Sequence, residues 1–358
     1  MYVKFLYPRG ERAGVRMKID TQYILDNMVK YINIQSPSGN TAEIIEELKK
    51  QFENMGIKTR KTKKGALIAT IEGENDDNQK TISAHVDTLG AMVKSIKQNG
   101  RLKFVRIAGG TFNTLEGANV FVETRHSKKV RGTILPVKAS THIFPSNSRN
   151  DSRTEENMEV RLDERVNSRE DVLDLGINVG DYIHIDTLTE ITESGFIKSR
   201  YLDNKAAVGI VLGICKYFSD NNIKPKYTVN FLMSNYEEVG HGISFVPEKT
   251  EEFIAIDIGT VGGEQASDEF SVSIAAKDGV TPYDYELRNK LVDIAEKNNI
   301  SYNVDVYNSY SSDATQGIKM GHDFKFACVG PGVDATHHYE RTHIEAIENT
   351  TKLLIKYI

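Results

Sequence analysis

Six side chains able to bind a metal or move a proton stand at or just past the ends of apolar runs: His85, Asp203, Glu237, Glu238, Asp257 and His337. Histidine with carboxylates and no cysteine favours a hydrolytic zinc, cobalt or manganese centre over a structural zinc knot. In the run HVD, two-residue spacing on an extended chain puts His85 and Asp87 on one side, so Asp87 can accept the spare imidazole proton. Asp203 opens a helical stretch, where it reads either as a cap or as a rigid carboxylate that bridges two cations. Glu237 and Glu238 are adjacent like charges after an apolar strand. They are a solvated acidic turn or, with a cation between them, one ligand and one general base. Asp257 ends FIAIDIG, where a carboxylate is costly unless paired or metal-bound. In THHYERTH three histidines crowd together; His337 is the chosen ligand, with His338 as its substitute. Common placement at strand ends points to an open α/β sheet converging on a two-metal hydrolytic site.

The elements that must carry these groups follow from the rest of the 358 residues. Hydrophobic residues make up 39% and charged ones 27%, the composition of a folded globular chain rather than a disordered one. A net charge of -5, without long blocks of one sign, points away from nucleic acid and membrane surfaces and toward a small-molecule partner. No span approaches a transmembrane helix. Cys215 and Cys328 both lie in apolar stretches, the pattern of buried free thiols in a reducing cytoplasm. Residues 1–16 are basic, without a signal-peptide core, and are set outside the fold.

TAEIIEELKKQFENM (41–55) has helical spacing, and GALIATIEG and QKTISAHVD read as strands, the second ending near His85. Between 90 and 198 the texture changes to short β pieces separated by glycines, an inserted β-barrel or sandwich. Within it SNSRNDSRTEENMEVRLDE reads as a polar surface loop. Helices and strands alternate again from 199 to 358. The expectation is an α/β fold with a parallel or mixed sheet covered on both faces, in parts 17–89 and 199–358, interrupted by the insertion 90–198.

Read in order, HVD, YLDNK, NYEEVGHG, AIDIG and THHYERTH resemble the glutamyl-aminopeptidase or tetrahedral-aminopeptidase family of dinuclear metallopeptidases, some members of which carry an endoglucanase label. The resemblance spans Met17 to Ile358. It implies a three-layer catalytic domain of the zinc-exopeptidase type and a β domain that helps build homo-oligomers, dimer-based and often twelve-subunit tetrahedra. It implies two divalent metals, zinc first with cobalt or manganese as alternatives. His85 and Asp257 would hold one, Glu238 and His337 the other, with Asp203 bridging. Asp87 would orient His85 and Glu237 would be the general base. The substrate implied is a peptide with a free N-terminus. Many members have serine after the last ligand histidine, whereas His338 follows His337 here.

Three rivals remain at this stage. A dinuclear deacylase or carboxypeptidase would use similar ligands. A glycosidase could use paired carboxylates, although the chain has no Trp for a sugar platform. An inactive scaffold carrying a β-rich interaction module is the non-enzymatic reading.

Overall fold

In the runs NFLM and FIAI every position is apolar or neutral, a pattern that fits strands buried on both faces. The computed structural model describes residues 17–358, so the expectation for residues 1–16 lies outside the described residues. Four strands, Tyr227–Ser234, Asn75–His85, Thr250–Ile256 and Lys325–Asp334, lie side by side in that order and run parallel. Leu67–Ile71 and then Lys58–Lys61 extend one edge with antiparallel pairing. Glu340–His343 extends the other side, and Val272–Lys277 with Tyr302–Val306 branches from Lys325–Asp334. Among the described residues the whole is a mixed sheet of 12 strands.

Side chains alternate across this sheet. Phe231, Ile254, Ala327 and Val329 pack with Ile24, Met28, Ile210, Ile214, Ile347 and Leu354 of helices Thr21–Ile32, Leu202–Asp220 and Ile344–Tyr357. Leu232, Phe253, Ala255 and Cys328 instead join a second core with Ile243, Tyr307 and Ala314. Two cores on opposite faces make the three layers that the resemblance implies. Leu202–Asp220 is apolar nearly all round, as a helix must be when it is covered on every side. Its Gly213 admits Ile24 so closely that a Cβ there would lie 2.4 Å from Ile24 Cγ1. Cys215 and Cys328 are buried and free. Among the described residues no helix is long and apolar enough to cross a membrane.

Six strands between Gly90 and Ile185 close into a barrel, in the order Gly90–Ile96, Leu102–Ile107, Met158–Leu162, Lys129–Pro136, Asn119–Glu123, Tyr182–Ile185. Phe104, Val120, Ile134, Val160 and Ile183 fill its interior. Two readings of this region change. The segment read as a polar loop holds a short helix, Asn147–Asn150, and then the barrel strand Met158–Leu162. Met158, Val160 and Leu162 alternate inward, a period-two signal hidden by the charged residues between them. The hairpin Glu190–Ile191/Phe196–Ser199, which texture assigns to the insertion, pairs instead with Glu340–His343 of the main sheet. Texture tells strand from helix but not which sheet a strand joins.

Gly330 is where the sheet meets the future site: a Cβ there would fall 1.3 Å from the carbonyl oxygen of Asp257. Gly330→Ala is expected to destabilise the protein by about 1–3 kcal/mol or more through overpacking against backbone. Urea unfolding measures it, and an unchanged midpoint would contradict this close approach.

Candidate metal centre

Parallel strands that end in register deliver their C-terminal groups to one crevice. His85 is the last residue of its strand and pairs with Ser234, so the turn carrying Glu237 and Glu238 begins beside it. Asp257 follows Ile256, which pairs with Val329, and His337 follows the strand Lys325–Asp334. Asp203 arrives from the buried helix. Although it sits in the first turn, its φ/ψ of -75/101 is not helical, and the Asp203–Asn204 peptide is cis. Asn204 anchors this start by donating 2.7 Å to the carbonyl of Ile256, next to Asp257. Tyr236 and His337 hold left-handed backbone at φ 66 and 62, conformations that non-glycine residues adopt where surrounding structure imposes them.

The side chains meet. His85 Nε2 lies 3.0 Å from Asp203 Oδ1, while His337 Nε2 lies 3.5 Å from Asp203 Oδ2 and 3.4 Å from Glu238 Oε2. Asp203 therefore turns one oxygen to each histidine, and the N-cap position of its helix belongs to Tyr201 rather than to Asp203. Ligand atoms of His85, Asp203 and Glu238 all fall within 4.8 Å of one another. Glu237 Oε2 is 3.9 Å from His85 Nε2. Asp257 lines the same cleft of ≈ 650 Å³ with Asp203, Glu237, Glu238 and His337, walled further by Thr260, Gln265, Tyr307 and Tyr310. His338 is exposed, and His343 is turned away to the carbonyl of Ser194 at 2.8 Å. His142 is exposed in the insertion.

Asp87 does something other than expected. His85 Nδ1 donates to the backbone carbonyl of Asp87 at 2.9 Å and stands 3.7 Å from its carboxylate. The carboxylate is occupied elsewhere: it accepts from Glu237 N at 3.1 Å, Glu238 N at 3.3 Å and Ser38 Oγ at 2.5 Å. Asp87 thus fixes the tautomer of His85 with its carbonyl and holds the Glu237–Glu238 turn with its side chain.

Sequence reasoning missed three supporting residues. Glu340 accepts from Asp203 N at 3.1 Å and His337 N at 2.9 Å, joining two distant segments. Asp313 bonds Ser234 Oγ, and Gln316 donates 2.8 Å to Glu237 Oε1. Each looks like an ordinary surface polar residue until the helix Asp313–Lys319 is laid against the sheet. The cluster HHYER was a hint for Glu340, since an acid there adjoins the chosen ligand.

Crowding governs the charges. Burial opposes a charge on His85, but the carboxylates of Asp203, Glu237 and Asp87 hold its pKa well above the usual imidazole value. Burial also works against Asp203, yet His337 and His85 keep its carboxyl below the usual range. Burial pushes Glu237, Glu238, Asp257 and Glu340 well up, with neighbouring carboxylates adding to it, and pushes Asp313 to about 6. Glu238 Oε1 is buried with no partner at all. An unpartnered carboxylate oxygen among so many like charges, with nitrogen and oxygen donors and no thiolate, is a site that fits divalent cations.

Comparison with known proteins agrees with this chemistry. A 328-residue match with "Putative aminopeptidase YhfE" of Bacillus subtilis (strain 168) is 45% identical and covers 91% of this chain and 94% of that one. The fold is shared with a Pyrococcus horikoshii TET1 peptidase that can assemble into a tetrahedron or a large octahedral shell, at TM-score 0.80, 21% identity, and coverage of 93% and 98%. It is shared as well with a Thermotoga maritima protein titled endoglucanase, at TM-score 0.72, 17% identity, and coverage of 92% and 96%. The sequence model of the M42 glutamyl aminopeptidase family matches residues 65–353, and the chain belongs to that family of peptide-cleaving aminopeptidases.

Proposed function

We propose that the chain removes N-terminal residues from peptides with two divalent cations, zinc in preference to cobalt or manganese. His85 and Asp257 would hold one ion, Glu238 and His337 the other, and Asp203 would bridge. The observation that carries this reading is Asp203, whose two oxygens face histidines brought from strand ends far apart in sequence. When bound, such cations polarise the scissile carbonyl and acidify a coordinated water. Glu237 is the general base: its carboxylate faces His85 across 3.9 Å, accepts the proton of the attacking water, and returns it to the leaving amine. Asp87 supports both functions through the contacts of its carbonyl and carboxylate. The family match favours this activity over deacylase, carboxypeptidase and glycosidase chemistry.

The domain division that goes with this reading has two catalytic parts around a β insertion. The insertion would serve assembly and access to the cleft, giving a homo-oligomer built from dimers and, as in the twelve-subunit relatives, up to a dodecamer. Two buried unpaired thiols favour a reducing cytoplasm.

Unblocked aminoacyl anilides should be cleaved and N-acetylated ones spared; the opposite preference, measured by anilide release, would move the chain to a deacylase. Glu237→Gln should retain metal and lose about 10²–10⁴-fold in turnover, whereas Asp203→Asn should lose metal by elemental analysis. Full turnover by the first variant would remove the base.

The charges also set a pH dependence for the metal-stripped protein. Glu237 and Glu238 keep protons when folded that they lose above 4.5 when unfolded, and His85 does the same above 6.5. Both make folding less favourable as pH rises, while Asp203, with its lowered pKa, acts in the other direction only near and below 3.8. The melting temperature of metal-stripped protein should therefore fall as pH rises from 4.5 through 6.5. Saturating zinc should flatten that fall, since ligands bind metal in their deprotonated forms. Parallel curves with and without zinc in thermal scans would count against the assigned ligands.

A further inference from the structure

Gln316 lies in the helix Asp313–Lys319, buried against the catalytic turn on the wall of the same cleft. Its amide nitrogen donates to Glu237 Oε1 at 2.8 Å and to the Glu237 carbonyl at 3.3 Å, and its oxygen accepts from Gly242 N at 2.8 Å. All its bonding capacity toward this turn is in use. Gly242 settles the amide orientation, because a flipped side chain would set two N–H donors against each other. Gly242 also permits the approach itself: a Cβ there would lie 2.1 Å from Asp313 Oδ1 and 3.2 Å from Glu237 Cα.

One oxygen of Glu237 is thus tied from behind, and the other, Oε2, is the one 3.9 Å from His85 Nε2. We propose that Gln316 is a positioning residue that pins Oε1 so that Oε2 takes the proton of the attacking water. The proposal rests on Glu237 being the base. As the water oxygen bonds to the carbonyl carbon, its O–H breaks and the proton passes to Oε2. As the C–N bond breaks, that proton passes from Oε2 to the leaving nitrogen. A neutral amide suits the task. The carboxylates of Asp257, Asp313 and Glu238 oppose a charge on Glu237, while the amide holds Oε1 at 2.8 Å without adding a charge of its own. A lysine or arginine in the same place would tether it too, but its charge would stabilise the carboxylate and weaken the base.

Two substitutions separate this role from simple bracing of the turn. Gln316→Glu keeps the shape and the acceptor for Gly242 N but replaces the donor facing Glu237. Gln316→Met removes all three bonds at similar volume. Both should retain metal content and KM, with kcat lowered about 10–100-fold. In a Glu237→Gln background, Gln316→Met should cause little further loss, since residues that act through one another are not additive. An equal loss in both backgrounds, a rise in KM at unchanged kcat, full activity of both single variants, or loss of metal from both would overturn the proposal. Retained activity of Glu237→Gln alone would instead show that the base itself was misassigned.

Discussion

Mutual repulsion among buried carboxylates is the constraint on which the rest of this structure depends. Asp203, Glu237, Glu238 and Asp257 share one crevice, with His85 and His337 beside them. Like charges removed from water destabilise a fold by several kcal/mol apiece unless something compensates them. Compensation comes in part from backbone: Glu340 and Asp87, themselves acids, accept amides from Asp203, His337, Glu237 and Glu238 and so hold the segments that bear the ligands. The proposed cations would supply the remainder, and the unpartnered Glu238 Oε1 is the atom at which that need is most evident.

The sheet exists to make such a concentration geometrically sustainable. Parallel strands cannot be joined by tight turns, so each needs a long crossover connection, and the strand ends are free to carry functional turns. The two apolar cores on its faces anchor those ends, and they reach the crevice wall through Ile258 and Tyr307. Strain is confined to the turns, with Tyr236 and His337 in left-handed backbone beside the groups they aim.

Much of this was legible in the sequence because it depends on local pattern. Apolar runs ending in His85 and Asp257 were readable as buried strands, and the barrel was readable as a change of texture. What escaped was the pairing of distant segments. MEVRL looked polar because its inward residues are only every second one, and the hairpin before Arg200 gave no clue that its partner was Glu340–His343. The contact between His85 and the carbonyl of Asp87, rather than its carboxylate, was invisible for a related reason. Spacing shows which side a group takes, but not that two amides from a remote turn will claim it first. Gln316 and Glu340 have polar side chains whose roles arise only when their elements dock.

The insertion also touches the centre directly. Its loop passes His337 at Gly109, where even a Cβ would come within 2.7 Å of the imidazole Nδ1. Because a hydrogen atom is all that separates barrel backbone from that ring, the seating of the barrel and the aim of the imidazole are one mechanical variable. A rigid tilt of the β unit on its neighbour would be transmitted to the ring without any intervening lever.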